Sequence, residues 1–376
     1  MRIIVLGAGL VGRPMAIDLA PEFDVTIADI SNENLERIDP GSGIKTVCQD
    51  LSEKTALTNL ISDFDLVINA VPGFMGFETL RTVIEAGKDV VEIAFSPEDV
   101  MELDELAKQN GVTAICDMGV APGMSNVLIG HVSNMMEQTE KVRIYVGGLP
   151  KRRTWPFEYK APFSPIDVIE EYTRPARVVE NGEEVIKEAL SEVELLTFDA
   201  VGTLEAFNSD GLRSLVHTID APDMVEKTLR YPGHAAMMKV FRETGFFSQD
   251  SVDVRGQKVR PIDLTAKLLF PKWELGAEEP ELTIMQVIIE GVENGKRMRY
   301  TYDLYDEYDP ETKTHSMART TGYAATSAVR MFAEGLFTQK GVFVPEFIGK
   351  DSKCVEFILA CLKERGIEYV ERVEEI

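Results

Sequence analysis

Arg2-Ile3-Ile4-Val5-Leu6-Gly7-Ala8-Gly9-Leu10-Val11-Gly12-Arg13-Pro14-Met15-Ala16-Ile17-Asp18-Leu19 is the stretch that decides the fold. A short β-branched run has the character of a buried strand, and a helical pattern from Val11 to Ala20 begins directly behind three glycines. The glycines stand at G-x-G-x-x-G, each with a task. Gly7 makes a tight turn, Gly9 lets backbone approach a pyrophosphate, and Gly12 lets helix pack close to strand. Leu10 and Val11 lie within the loop, and the N–H groups at the helix start face the same ligand. A second strand, Asp24 to Ala28, leads to Asp29, where a carboxylate accepts hydrogen bonds from the adenosine ribose. Positions 30 to 32 hold no Arg or Lys to neutralise a 2′-phosphate. The expected cofactor is therefore NAD, with NADP second.

Outward from this loop the pattern repeats. Leu66 to Ala70, Val90 to Ala94 and Thr113 to Cys116 read as strands with helices between them, so a Rossmann-type parallel sheet is expected. Ala70, Val71 and Pro72 follow the fourth strand, where small residues let the chain lie against a cofactor. Asp50, after the third strand, is placed near the adenine end or in an exposed loop. From residue 119 to 319 longer strand-like runs appear, including Val142 to Val146, Glu194 to Phe198, Thr283 to Ile289 and Arg299 to Tyr305. They predict an α+β second domain on a largely antiparallel or mixed sheet. Helices from Thr320 to Phe337 and Ser352 to Arg365 carry apolar stripes that need a surface to cover them. The chain is thus divided into a Rossmann domain of 1–118 and 320–376, and a second domain of 119–319.

Composition narrows the function classes. With 39 Lys+Arg against 63 Asp+Glu the formal charge is −24, which repels nucleic acid and anionic membrane surfaces. No apolar run reaches the roughly 20 residues of a bilayer span, and the first apolar stretch ends in glycines, unlike a secretory signal. Four cysteines without C-x-x-C spacing read as reduced thiols of a cytoplasmic protein. The four histidines fall at no metal-binding spacing, so no metal is expected. A nucleophile elbow and a Walker lysine are likewise missing from the sequence.

The candidate for chemistry is Asp117, in Cys116-Asp117-Met118-Gly119-Val120-Ala121-Pro122-Gly123, at the carboxyl end of the last parallel strand. Ligands sit beyond such strand ends. Its bland alternative is a cap for the helix from Met124 to Met136. Polar clusters in the second domain supply Tyr159 and Lys160, Arg213, and Arg230 with His234. Lys160 and His234 are further acid–base candidates. Arg213 and Arg230, with Tyr159, are candidates for holding a carboxylate, which the guanidinium fork matches bidentately.

Together these motifs resemble the saccharopine dehydrogenase-like oxidoreductases, and among them the archaeal-type lysine 6-dehydrogenases. The resemblance rests on the glycine loop, Val71-Pro72-Gly73-Phe74, Asp117 to Asn126, Tyr145 to Pro150, Phe163 to Arg177, Glu205 to Arg213, Thr228 to His234 and the Gly322 helix. It implies a Rossmann domain completed by the C-terminal tail and a middle domain whose sheet commonly forms a homodimer interface. It also implies hydride exchange between a nicotinamide and a carbon bearing nitrogen. Where saccharopine-forming enzymes carry a tyrosine, an acid and a cysteine, this chain has Gly73, Ala121 and Val146. The expected activity is therefore NAD-dependent oxidative deamination of lysine at its ε-carbon, giving the semialdehyde, ammonia and NADH. Alternatives are a saccharopine or carboxynorspermidine dehydrogenase-type reaction, and a silent dinucleotide-binding regulator.

Overall fold

Ile3, Ile4, Val5 and Leu6 are fully buried because β1 (Arg2–Leu6) is an inner strand of a parallel sheet, covered on both faces. In the computed structural model, which describes Met1 to Ile376, the chain separates into two units. The first comprises Met1–Met135 and Met317–Glu368, and the second Met136–Ser316 and Tyr369–Ile376.

In the first unit, α1 (Gly12–Leu19), β2 (Asp24–Asp29), α2 (Asn32–Glu36), β3 (Lys45–Cys48), α3 (Lys54–Ile61) and β4 (Leu66–Asn69) follow β1. Then come α4 (Gly73–Glu85), β5 (Asp89–Glu92), α5 (Asp104–Asn110), β6 (Thr113–Ile115) and α6 (Met124–Met135). Strand β1 pairs in parallel with β2 on one side and β4 on the other. Strand order therefore reverses there, and the loops leaving β1 and β4 open a crevice at the carboxyl edge. Leu6 pairs with Asn69 and Asn69 with Glu92, so three strand ends stand level. Leu80, Val83 and Ile84 of α4 pack against Val67 and Val90 of the sheet in a fully buried core.

The second unit runs through β7 (Gln138–Pro150), α7 (Pro165–Thr173), β8 (Ala176–Glu180), β9 (Glu183–Lys187), β10 (Glu194–Phe198), β11 (Gly202–Asn208), α8 (Leu215–Thr218) and β12 (Asp223–Arg230). It continues with α9 (His234–Glu243), β13 (Val252–Val254), β14 (Gln257–Val259), α10 (Pro261–Trp273), β15 (Glu281–Glu293) and β16 (Lys296–Glu307). Its nine-stranded sheet is antiparallel except where β12 pairs with β7, which makes it mixed as expected. Asn294 and Gly295 both take positive φ, so an Asn-Gly turn of the hairpin-favouring hand joins β15 to β16.

The chain returns to the first unit with α11 (Ser316–Ala333), β17 (Gly341–Phe343), α12 (Pro345–Gly349) and α13 (Ser352–Glu364). Asp18 of α1 receives Arg330 and Arg365 at 2.7 Å each, and β17 extends the parallel sheet beside β6. Two boundaries differ from the sequence expectation. The break expected after residue 118 lies after Met135, because α6 is locked to α12 by close backbone approach. A Cβ on Gly130 would lie 2.2 Å from the Glu346 carbonyl oxygen, and one on Gly349 as near that of Val127. The chain end also leaves the first unit: β18 (Tyr369–Glu375) pairs antiparallel with β16, from Leu304–Tyr369 to Met298–Glu375. No helix is long and apolar enough to cross a membrane.

Candidate functional site

Geometry explains each glycine of the loop. Gly7 has φ +105° and donates its N–H to Ala28 O at 2.8 Å, and a Cβ there would meet Ala70 O at 2.5 Å. A Cβ on Gly12 would meet Gly7 O at 2.0 Å. Gly9 differs from both: a Cβ there has no atom within 4 Å, so its face opens on free space at the start of α1. Val11, the residue preceding α1, makes no side-chain cap, which leaves the helix start available to an anion. Two glycines serve close packing and one bounds an open cradle. That arrangement fits a pyrophosphate.

Asp29 ends β2 with one oxygen accepting the Ala8 N–H and the other the Ser31 N–H, each at 2.7 Å. It thereby ties the loop after β1 to the turn after β2. Ala70 donates to Leu6 O at 3.0 Å, Val71 is buried, and Pro72 precedes α4, so this segment lines the crevice beside the glycines. Leu10 of the loop is partly exposed. Asp50 lies in an exposed turn, where its carboxylate accepts the Ser52 hydroxyl at 2.7 Å and the Ser52 N–H at 2.9 Å. These hydrogen bonds hold its pKa below the ordinary range and account for the residue locally.

Asp117 follows β6 with φ +54° and is only 4% exposed. Its N–H donates to Glu92 Oε2 at 3.0 Å, and the Met118 N–H donates to the Glu92 carbonyl at 3.0 Å. The first N–H groups of α6 are taken by backbone: Met124 donates to Gly119 O, Ser125 to Val120 O and Val127 to Gly123 O. Burial, then the charges of Glu92 and Asp117, push the Cys116 thiol well above its usual pKa, so both carboxylates stand close to it. All four cysteines are free thiols. Glu92 escaped the sequence reading. Its only signal was an acid closing the run Val90-Val91, level with Asn69 on the neighbouring strand.

In the second unit Arg230, Tyr159 and His234 form one buried network. The Arg230 guanidinium lies 4.5 Å from the Tyr159 ring centre and pairs with Glu171. It also donates to Leu229 O at 2.9 Å and reaches the Tyr172 and Tyr159 hydroxyls at 3.4 and 3.5 Å. Burial opposes its charge, yet Tyr159, Tyr172 and Glu171 raise its pKa overall. Its fork is thus filled by protein groups, where the sequence suggested a ligand carboxylate. His234 Nδ1 meets Phe157 O at 3.1 Å, which makes it the protonated nitrogen, and Nε2 then accepts the Tyr172 hydroxyl at 2.9 Å. Burial and the Arg230 charge lower the His234 pKa to about 3, which makes the imidazole a poor proton acceptor. Lys160 donates to Glu274 O at 2.7 Å. Arg213 is buried with φ +54°, in a cluster where Arg177 grips Asp210 at 2.8 and 3.0 Å. Arg174 feels the Arg213, Asp210 and Arg177 charges there. Tyr172 and Glu171, from the polar run Glu170 to Arg177, complete this interior.

A glycine loop on the crossover from β1 to α1, with an acid closing β2, defines a dinucleotide-binding Rossmann domain. Residues 3–115 match the saccharopine dehydrogenase NADP binding domain, and residues 119–367 the saccharopine dehydrogenase C-terminal domain. The chain belongs to the saccharopine dehydrogenase family. It is 26% identical over 268 residues to the Saccharomyces cerevisiae saccharopine dehydrogenase [NADP(+), L-glutamate-forming], covering 67% of this chain and 60% of that one. Against the Arabidopsis thaliana alpha-aminoadipic semialdehyde synthase it is 24% identical over 67% of this chain but spans only 27% of that protein. Carboxyaminopropylagmatine dehydrogenase of Synechocystis sp. is 24% identical over 99% of this chain and 98% of its own length. The solved structure of apo saccharopine dehydrogenase (L-Glu forming) from S. cerevisiae superposes with a TM-score of 0.80 at 19% identity, covering 99% of both chains. That likeness shows the fold.

Proposed function

We propose that this protein is a nicotinamide-dependent oxidoreductase that oxidises a carbon bearing nitrogen, with the ε-carbon of L-lysine as its substrate. The observation that carries the reading is Asp117, buried at the carboxyl edge of the parallel sheet that bears the glycine loop. A bound nicotinamide would supply the hydride acceptor for the carbon next to nitrogen. Gly7, Gly9 and Gly12 with the α1 start would hold the pyrophosphate, Asp29 the ribose, and Ala70 to Pro72 the wall of the crevice. Asp117 engages the substrate ammonium and takes its proton, since only the neutral amine releases hydride and free lysine has a pKa of about 10.4. Loss of the hydride and a proton leaves the substrate as an imine, which water hydrolyses to the semialdehyde and ammonia.

Asp29 supports NAD, because a carboxylate at the ribose repels a 2′-phosphate. NADP is the second reading, favoured by the match of residues 3–115 to an NADP binding domain and by the name of the yeast relative. The names of the relatives favour a secondary amine as the second substrate reading. Free thiols fit a cytoplasmic setting, and the resemblance supports a homodimer.

The test is reduction of NAD and NADP, followed by absorbance, with lysine, saccharopine, carboxynorspermidine and carboxyaminopropylagmatine. Turnover with lysine and NAD is expected. Turnover with a secondary amine alone overturns the lysine assignment, and dinucleotide binding without any turnover makes the chain a silent regulator.

A further inference from the structure

Glu92 is 1% exposed at the end of β5, an uncommon place for a carboxylate unless it holds something. It receives two successive N–H groups of the turn after β6. Its side-chain Oε2 accepts that of Asp117, and its own carbonyl accepts that of Met118, both at 3.0 Å. Between the two acceptors the Asp117 backbone is held at φ +54°, a left-handed conformation that few residue types adopt and Asp tolerates. The direction in which the Asp117 side chain leaves the backbone is therefore set from β5, one strand away. Asn69, level with Glu92 on β4, adds its own restraint on that edge by donating Nδ2 to Gly76 O at 3.0 Å.

We propose that Glu92 is a positioning residue for the amine-oxidising reaction: its carboxylate clamps the Asp117 turn so that Asp117 meets the substrate nitrogen in one orientation. This rests on the reading of Asp117 given above. Glu92 does not touch substrate in this account; it acts through the main chain of its neighbour. A misplacement of about 1 Å in such a group costs on the order of 10²-fold in rate.

The test compares Glu92→Leu, which removes the acceptor, with Glu92→Gln, which keeps an oxygen in place but not the charge. Glu92→Leu is expected to lower kcat at least ~30-fold while dinucleotide Kd changes less than about twofold. Glu92→Gln is expected to recover most of that loss. The Asp117 amide resonance, read by 1H–15N NMR on the full chain, is expected to move in Glu92→Gln as its acceptor changes from a carboxyl to an amide oxygen. Wild-type kcat in Glu92→Leu overturns the proposal, and so does parallel loss of kcat and dinucleotide affinity, which marks a merely structural acid. If Glu92→Leu does not fold, an unmoved Asp117 amide in Glu92→Gln overturns it instead. A wild-type protein that binds dinucleotide but oxidises no amine overturns the functional reading, and with it any catalytic consequence of Glu92. Amine oxidation indifferent to Glu92 overturns only the clamp.

Discussion

Asp29 Oδ2 accepts the Ala8 N–H at 2.7 Å, which joins the acid closing β2 to the glycine loop between β1 and α1. The other Asp29 oxygen accepts the Ser31 N–H, so the carboxylate is oriented from both sides before any ligand arrives. A ribose diol would find an acceptor here, and a 2′-phosphate would meet a negative charge. NAD should bind at least ~10-fold more tightly than NADP, a difference of about 1.4 kcal/mol. The double change Asp29→Ser with Ile30→Arg should narrow or reverse it. Equal Kd values in calorimetry would remove Asp29 as the selector.

Gly9 and Gly12 should respond differently to the same added methyl group. Gly9→Ala projects into open space, so the melting temperature should hold while dinucleotide affinity falls about tenfold or more. Gly12→Ala drives a Cβ to 2.0 Å from Gly7 O and should cost about 1–3 kcal/mol of stability through overpacking. Melting curves with and without dinucleotide separate the two effects.

Asp117→Asn keeps the side-chain volume but removes the charge and the proton acceptor. Turnover should fall by about 10²–10⁴, the usual contribution of a positioned acid or base. Dinucleotide affinity should change little. Full turnover in this variant would exclude Asp117 from the chemistry, since Asn serves nearly as well as Asp in a turn or cap.

His234 and Glu226 should give opposite pH slopes of stability. Burial first, then Arg230, lowers the His234 pKa to about 3, against about 6.5 in an unfolded chain. The unfolded state binds the extra proton, so this contribution is complete above pH 6.5 and lost as pH falls towards 3. Burial raises the Glu226 pKa to about 8, despite the Ser209 hydroxyl donating to it at 2.7 Å. Its neutral form is favoured in the fold, so stability is full below about pH 4.3 and is lost as pH rises through 8. Denaturant titrations should show the slope between pH 6.5 and 4 flattened in His234→Gln, and that between pH 5 and 8 flattened in Glu226→Gln. Unchanged slopes would place both groups in more polar surroundings than their burial indicates.

Patterns of short range were legible before any fold was built. Short β-branched runs alternating with helical segments, and the G-x-G-x-x-G spacing, predict the strands β1, β2, β4, β5 and β6, and Glu194–Phe198 is a strand with the bounds read from sequence. The loop chemistry followed because each glycine is needed for backbone geometry within a few residues of itself. Harder to read were roles that depend on distant neighbours. Arg230 and His234 look like ligands in sequence, since nothing in Arg230-Tyr231-Pro232-Gly233-His234 reveals Glu171, Tyr159 and Tyr172 closing around them.

The amino-acid sequence by itself determined the parallel sheet, the glycine loop between β1 and α1, the acid that closes β2 and the mixed sheet of the second unit. All of these arise from local backbone preference and from the period of apolar residues, which the chain carries in its own order. Tertiary structure alone decided which polar groups face inward on one another. It set Glu92 against the Asp117 N–H, filled the Arg230 fork, kept α6 with the first unit and sent β18 to the second. The physical reason is that burial and pairing of charges depend on residues brought together from 25 to more than 300 positions apart, as in Glu92–Asp117 and Asp18–Arg330. Neither separation leaves a period in the sequence, because such partners meet only when strands and helices have packed.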